Sequence, residues 1–140
     1  MKSIARHESE TKAIARGFAS TILIGDVILI TGDLGSGKTL MCQEIIRYFM
    51  SSQQVVTSPT FNIVQIYQND NFSIYHFDLY RLKSEDELLE LGIEDAISTN
   101  AICLIEWPEI AFGFFQRQKL KTKQIHIDIL DLDKRSIIIG

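Results

Sequence analysis

Between an unbroken apolar run, Val27-Ile28-Leu29-Ile30, and a stretch in which Met41, Ile45, Tyr48 and Phe49 recur at helical spacing lies the octet Gly32-Asp33-Leu34-Gly35-Ser36-Gly37-Lys38-Thr39. The octet fits G-x-x-x-x-G-K-[ST], a pattern that composition alone would place in a chain of this size about once in two hundred. Its setting narrows the reading further. A continuous apolar run predicts a strand buried on both faces, and the pattern after the octet predicts a helix. The chain must therefore pass from buried strand to helix through a glycine-bent loop. Such a loop curls until several backbone N–H groups point inward, in conformations that carry a Cβ poorly, and the helix dipole adds to the positive field. The implied ligand is a phosphate chain. Leu34, Gly35, Ser36, Gly37, Lys38 and Thr39 are the candidate nucleotide-binding residues, Lys38 bringing a mobile charge to the β and γ phosphates and Thr39 a hydroxyl to Mg²⁺.

With 140 residues the chain fits a single domain spanning 1–140. A content of 46% hydrophobic and 23% charged residues is that of a globular protein and argues against long disordered tails. No apolar run approaches the ~20 residues that cross a bilayer, and Lys2 and Arg6 are followed by polar residues, so a soluble, cytoplasmic protein without a membrane partner is expected. A formal net charge of −4 speaks against holding nucleic acid by the overall field. Arg117, Lys119, Lys121 and Lys123 make one local basic stretch, read as a solvated loop and strand edge. Cys42 and Cys103 fall inside predicted elements and read as small core residues.

Along the chain, Ser9 is placed to cap a helix carrying Ile14, Phe18 and Ile22, and Gly25-Asp26 turns into the apolar strand. Strand-like segments follow at Val55 to Thr57, Phe61 to Tyr67 and Phe72 to Phe77, with Asn69-Asp70-Asn71 as the turn of a hairpin. Ser84-Glu85-Asp86-Glu87 reads as a capping box starting a short helix that Gly92 ends. Ala101 to Ile105 is a second continuously apolar strand, and Gln124 to Leu130 and Ser136 to Ile139 are two more. Strands interleaved with helices predict a three-layer α/β sandwich, a phosphate-loop nucleotide-binding fold with a mixed, mostly parallel central sheet.

Phosphoryl transfer in this loop class needs a second acidic group at the end of a neighbouring buried strand. Glu106 ends the Ala101–Ile105 run and is given the metal role beside Thr39. Asp78 ends Tyr75-His76-Phe77 and is left to position water or steady a moving segment. Lys38, Asp78 and Glu106 are the candidate catalytic residues. Arg81 suits either a charge-neutralising finger or a local ion pair, Ser58-Pro59-Thr60 either a switch segment or a plain turn, and Trp107 either lid packing or a gate. His7, His76 and His126 show no ligand spacing, so no histidine metal site is expected.

With these residues in hand, the chain resembles the bacterial ATPase family of tRNA threonylcarbamoyladenosine biosynthesis, the TsaE (YjeE) family. The resemblance rests on Gly32 to Thr39 (GDLGSGKT), Ser58 to Phe61 (SPTF), His76 to Leu82 (HFDLYRL) and Ile105 to Glu109 (IEWPE), in that order. It implies an ATPase using ATP and Mg²⁺, with Thr39 and Glu106 at the metal, switch-like SPTF and HFDLYR segments, and a segment near Glu8 approaching the nucleoside. It implies the partners TsaD and TsaB, with tRNA reached indirectly through that complex, and ATP hydrolysis that resets the complex between turnovers. Two rivals stand beside it: a nucleotide-gated binding module with negligible hydrolysis, and a small-molecule kinase of the same loop class. Leu40 stands where the family usually has a second hydroxyl. The apolar stretch Ile110 to Phe115 lacks a Leu-Pro turn common in relatives and reads as a lid or docking patch.

Overall fold

The computed structural model describes residues 1–59 and 62–140. Its elements are β1 (Lys2–Ala5), α1 (Glu8–Ala19), β2 (Val27–Gly32), α2 (Lys38–Phe49), β3 (Val64–Gln68), β4 (Ser73–Asp78), α3 (Glu85–Glu90), α4 (Ile93–Ser98), β5 (Ala101–Glu106), a 3₁₀ turn (Pro108–Ala111), α5 (Phe112–Arg117), β6 (Thr122–Ile129) and β7 (Arg135–Ile139). The strands form one sheet in the order β1-β7-β6-β2-β5-β4-β3. Pairing is parallel through β6, β2, β5 and β4 and antiparallel at both margins. Burial explains this division: β5 is buried at all six positions and β2 at its first four, so both need helices on each face, as parallel strands do.

Alternation along the central strands sends side chains to two cores. Ile28, Ile30, Ile102 and Leu104 pack with Ala15 and Phe18 of α1 and Met41, Cys42, Ile45 and Ile46 of α2. Val27, Leu29, Cys103 and Ile105 pack with Leu88 of α3, Ile93 and Ala96 of α4, and Ala111, Phe114 and Phe115 beyond β5. These are the three layers of the sandwich. Each fully buried Leu, Ile or Phe side chain contributes about 1.5–3 kcal/mol through the apolar surface it removes from water. Among the described residues, no helix is long and apolar enough to cross a membrane.

Several local expectations change. The cap of α1 is His7, with Ser9 inside the first turn, and Ile22 lies beyond the helix although buried. Val55 to Thr57 is irregular chain without a strand partner, and β3 begins at Val64. The β3–β4 hairpin forms with Asn69 Oδ1 accepting the N–H groups of Asn71 and Phe72, each at 2.9 Å. Ser84 is the cap of α3 in extended backbone but makes no side-chain cap bond, and Glu87 accepts instead from the Lys83 N–H at 3.3 Å. Gly92, at φ 81°, ends α3 and opens α4, an additional helix. Ile110 to Phe115 is neither lid nor patch. Ala111, Phe114 and Phe115 are buried in the second core, and only Phe112 is exposed. The basic stretch is solvated at Arg117, Lys119 and Lys121 but is not a strand edge, because half-buried Lys123 lies on β6 between β2 and β7; Arg117 pairs with Glu85 and Lys123 with Asp26.

Candidate functional site

The loop between β2 and α2 stands at the end of the parallel strands, where α/β sheets bind ligands. Two glycines show why it cannot carry other residues. Gly37 caps α2 at φ 110°, and a Cβ on Gly32 would lie 2.6 Å from both the Ile127 carbonyl and Ser36 Oγ. The loop is also tied from the far side of the sheet. Arg135 Nε donates to the Ser36 carbonyl at 3.0 Å, while Nη1 donates to the carbonyls of Asp131, Leu132 and Lys134 at 3.0–3.2 Å, which fastens the β6–β7 turn to the loop.

A pocket of about 520 Å³ opens over this loop. It is lined by Leu34, Gly35, Ser36, Gly37, Lys38 and Thr39 together with Glu8, Asp78, Arg81, Glu106 and Trp107. The expected residues thus converge from four separate segments. Ser58 is exposed and is not among the pocket's described lining residues, and Thr60 falls outside the described residues. Tyr80 arrives with the expected HFDLYR segment, whereas Thr11, Leu132, Asp133 and Arg135 line the pocket without having been anticipated. Their only sequence signal is nearness to Glu8, or none, because the β6–β7 turn arrives through sheet order.

Lys38 is almost wholly buried, and its ammonium donates to the Gly32 and Asp33 carbonyls at 2.7 and 2.8 Å. The same Nζ lies 4.1 Å from the Trp107 ring centroid, and that ring packs on Tyr80 at 4.8 Å. Burial pushes the lysine below its ordinary value, and the carboxylates of Glu106, Asp78, Asp33 and Glu109 pull the other way. Trp107 holds a left-handed backbone at φ 53°, a conformation costing a side-chain-bearing residue about 1–2 kcal/mol, so its place over Lys38 is imposed by the surroundings.

Glu106 is the hub of the site. Its Oε1 accepts the Thr39 hydroxyl at 2.9 Å, and its Oε2 lies 2.6 Å from His76 Nε2. Asp78 is paired in register with Glu106 across β4 and β5, and its Oδ1 accepts the Tyr80 N–H at 3.1 Å. A hydroxyl beside two carboxylates is a hard oxygen set, the kind Mg²⁺ takes together with water and phosphate oxygens, so Thr39 and Glu106 suit the ion the loop implies. His76 was weighed in the sequence only as a metal ligand and given no role in the site. Ligand spacing was the wrong test for it. Alternation along β4 already put it on the face of Asp78, and the parallel register carries that face to Glu106. The ring is fully buried, and Nδ1 has no hydrogen-bond partner among the described residues, a deficit that ordinarily costs about 1–3 kcal/mol. Cys42 and Cys103 are free buried thiols, as expected; burial pushes Cys103 up to about 12 and drives Cys42 well above its usual value, with Glu106 and Asp78 adding to the latter.

The sequence profile of the Threonylcarbamoyl adenosine biosynthesis protein TsaE matches residues 5–137. The chain belongs to the TsaE family. The tRNA threonylcarbamoyladenosine biosynthesis protein TsaE of Rickettsia bellii is 45% identical over 134 residues, covering 96% of this chain and 90% of the relative. That of Bacillus subtilis is 34% identical over 128 residues, 91% of this chain and 77% of the relative. A crystal structure of Bacillus YdiB superimposes with a TM-score of 0.72 at 28% identity, over 98% of this chain and 82% of that one. Family membership and the α/β fold agree with the resemblance carried by the four segments.

Proposed function

We propose that this TsaE-family chain is a Mg²⁺-dependent ATPase of tRNA threonylcarbamoyladenosine biosynthesis, folded as one domain and acting in the cytoplasm beside TsaB and TsaD, with tRNA reached through that complex. The observation that carries the reading is the meeting of Lys38, Thr39 and Glu106 at one glycine loop.

In this reading the loop amides hold the polyphosphate, and Lys38 leaves the Gly32 and Asp33 carbonyls to meet the β and γ phosphates, an exchange that replaces two neutral acceptors by charged ones. Thr39 and Glu106 would hold Mg²⁺, which would supply positive charge against the phosphate chain. Asp78, beside Glu106 in register, orients the attacking water and accepts its proton. Arg81 and Trp107 line the wall, where a guanidinium stabilises the transferring group and an indole shields it from bulk water. Glu8 and Thr11 on one side and Leu132 and Asp133 on the other enclose the nucleoside. Hydrolysis resets the partner complex between turnovers.

The test is steady-state phosphate release with TsaB and TsaD present. Lys38→Ala and Glu106→Ala should each lower turnover by about 10²-fold or more, the loss typical of one transition-state electrostatic contact. Wild-type rates in both variants would overturn the reading, and full multi-round tRNA modification with a non-hydrolysable ATP analogue would favour a nucleotide-gated binding module instead.

A further inference from the structure

Behind the Thr39–Glu106 contact lies a second cluster that shares only Glu106 with the phosphate chemistry. Cys42 follows Thr39 by three residues on α2, so both project from one face of the helix toward the sheet. His76 and Glu106 meet that face from β4 and β5. A ligand atom of each of the three lies within 4.8 Å of the others, and all three residues are buried. An ionised carboxylate only accepts, so Nε2 is the hydrogen-bearing nitrogen toward Glu106 when the ring is neutral, and the partnerless Nδ1 carries an uncommitted lone pair.

We propose that Cys42, His76 and Glu106 form a binding site for one borderline divalent transition-metal ion, of the Zn²⁺ or Co²⁺ class, whose occupancy engages the Glu106 carboxylate that Mg²⁺ would otherwise take and so shuts the nucleotide site. The donor chemistry selects the ion. A thiolate, an imidazole and a carboxylate suit a tetrahedral borderline cation, whereas Mg²⁺ rejects sulfur and keeps oxygen ligands. Ligand atoms about a tetrahedral zinc stand roughly 3.3–3.6 Å apart, so the sulfur closes in through its side-chain torsion and, where Nε2 is the ligand, the 2.6 Å imidazole–carboxylate contact opens by under about 1 Å. On binding, the thiol of Cys42 gives its proton to solvent; where Nδ1 is the ligand the ring keeps its hydrogen on Nε2, and where Nε2 is the ligand that hydrogen moves to Nδ1 by exchange with solvent. The ion enters through the nucleotide pocket, which Glu106 lines, and the fourth position is left to a water from that side.

The inhibitory half rests on the proposed role of Glu106 in nucleotide hydrolysis, and the binding half does not. Co²⁺ titrated into the nucleotide-free, Mg²⁺-free full chain should give a thiolate-to-cobalt charge-transfer band in the near ultraviolet that saturates at one equivalent and is erased by Zn²⁺. Cys42→Val, close in volume and apolar like its neighbours, should abolish the band with an unchanged circular dichroism spectrum, and Cys42→Ala provides a second variant should valine disturb packing. In ATPase assays, Cys42→Val should keep wild-type Mg²⁺-dependent turnover and need at least tenfold more Zn²⁺ for half-inhibition. Absence of the band, its survival in Cys42→Val and Cys42→Ala, or equal Zn²⁺ sensitivity of wild type and variant overturns the site. A chain that shows the band yet hydrolyses nothing refutes only the ATPase reading, and an active chain without the band refutes only this one.

Discussion

At the scale of single residues, the site is organised around a buried carboxylate whose two oxygens are committed in different directions. Glu106 is 2% exposed, holds the Thr39 hydroxyl with one oxygen and meets fully buried His76 with the other. An apolar strand with an acid at its end was enough to single out Glu106. His76 was given no role because a histidine in a strand carries no spacing signal, and its importance comes from a register that only the folded sheet supplies. The pairing has a thermodynamic consequence. Removing one partner leaves the other desolvated without its bond, so His76→Leu and Glu106→Leu should each lower unfolding free energy by about 2–4 kcal/mol. The double substitution should cost at least about 1 kcal/mol less than the sum of the two, because neither partner is then stranded. Urea unfolding of the four proteins measures this cycle, and strict additivity would show that the 2.6 Å contact contributes no coupling.

At the scale of elements, legibility followed how fully a segment's pattern reflects its burial. β2 and β5 are apolar without interruption because both faces are covered, and both were readable to within a residue or two. β1 was not: Lys2–Ala5 is a four-residue edge strand with one buried position, and nothing local separates it from loop. Val55 to Thr57 failed the other way, since β-branched composition alone does not make a strand of a segment that pairs with no neighbour among the described residues. The stretch after Trp107 misled most. Its run of apolar and aromatic residues lacks a polar face because the 3₁₀ turn and α5 are short and wedged against α3 and the sheet, which mimics a sticky surface. The two interpretations differ in stability. Phe114→Ala, at a position 4% exposed, should cost about 3–5 kcal/mol by opening a cavity, while Phe112→Ser, 43% exposed, should stay within about ±0.5 kcal/mol. Denaturant midpoints for both variants decide it; equal small shifts would restore the docking patch.

At the scale of the molecule, the pocket has no local existence. Its walls come from Glu8 near one end of the chain, the 32–39 loop, Asp78, Glu106 and the 132–135 turn near the other, and β6 beside β2 is what brings that turn to the loop. The motif segments were legible because each is contiguous, whereas Leu132, Asp133 and Arg135 were not, because sheet order and not sequence nearness delivers them. A site assembled from the whole fold binds its ligand in the native state alone, so nucleotide affinity must appear as global stability. Saturation at a hundredfold excess over Kd contributes about 2.7 kcal/mol. With an unfolding entropy of about 2.1 cal/mol/K per residue, 140 residues give roughly 0.3 kcal/mol/K, so Mg²⁺-ATP should raise the melting midpoint by roughly 8–10 °C. Lys38→Ala, which removes the cation proposed to meet the phosphates, should show a much smaller rise at the same nucleotide concentration. Differential scanning calorimetry reads both numbers, and an equal rise in the two proteins would mean that nucleotide is held somewhere other than the loop.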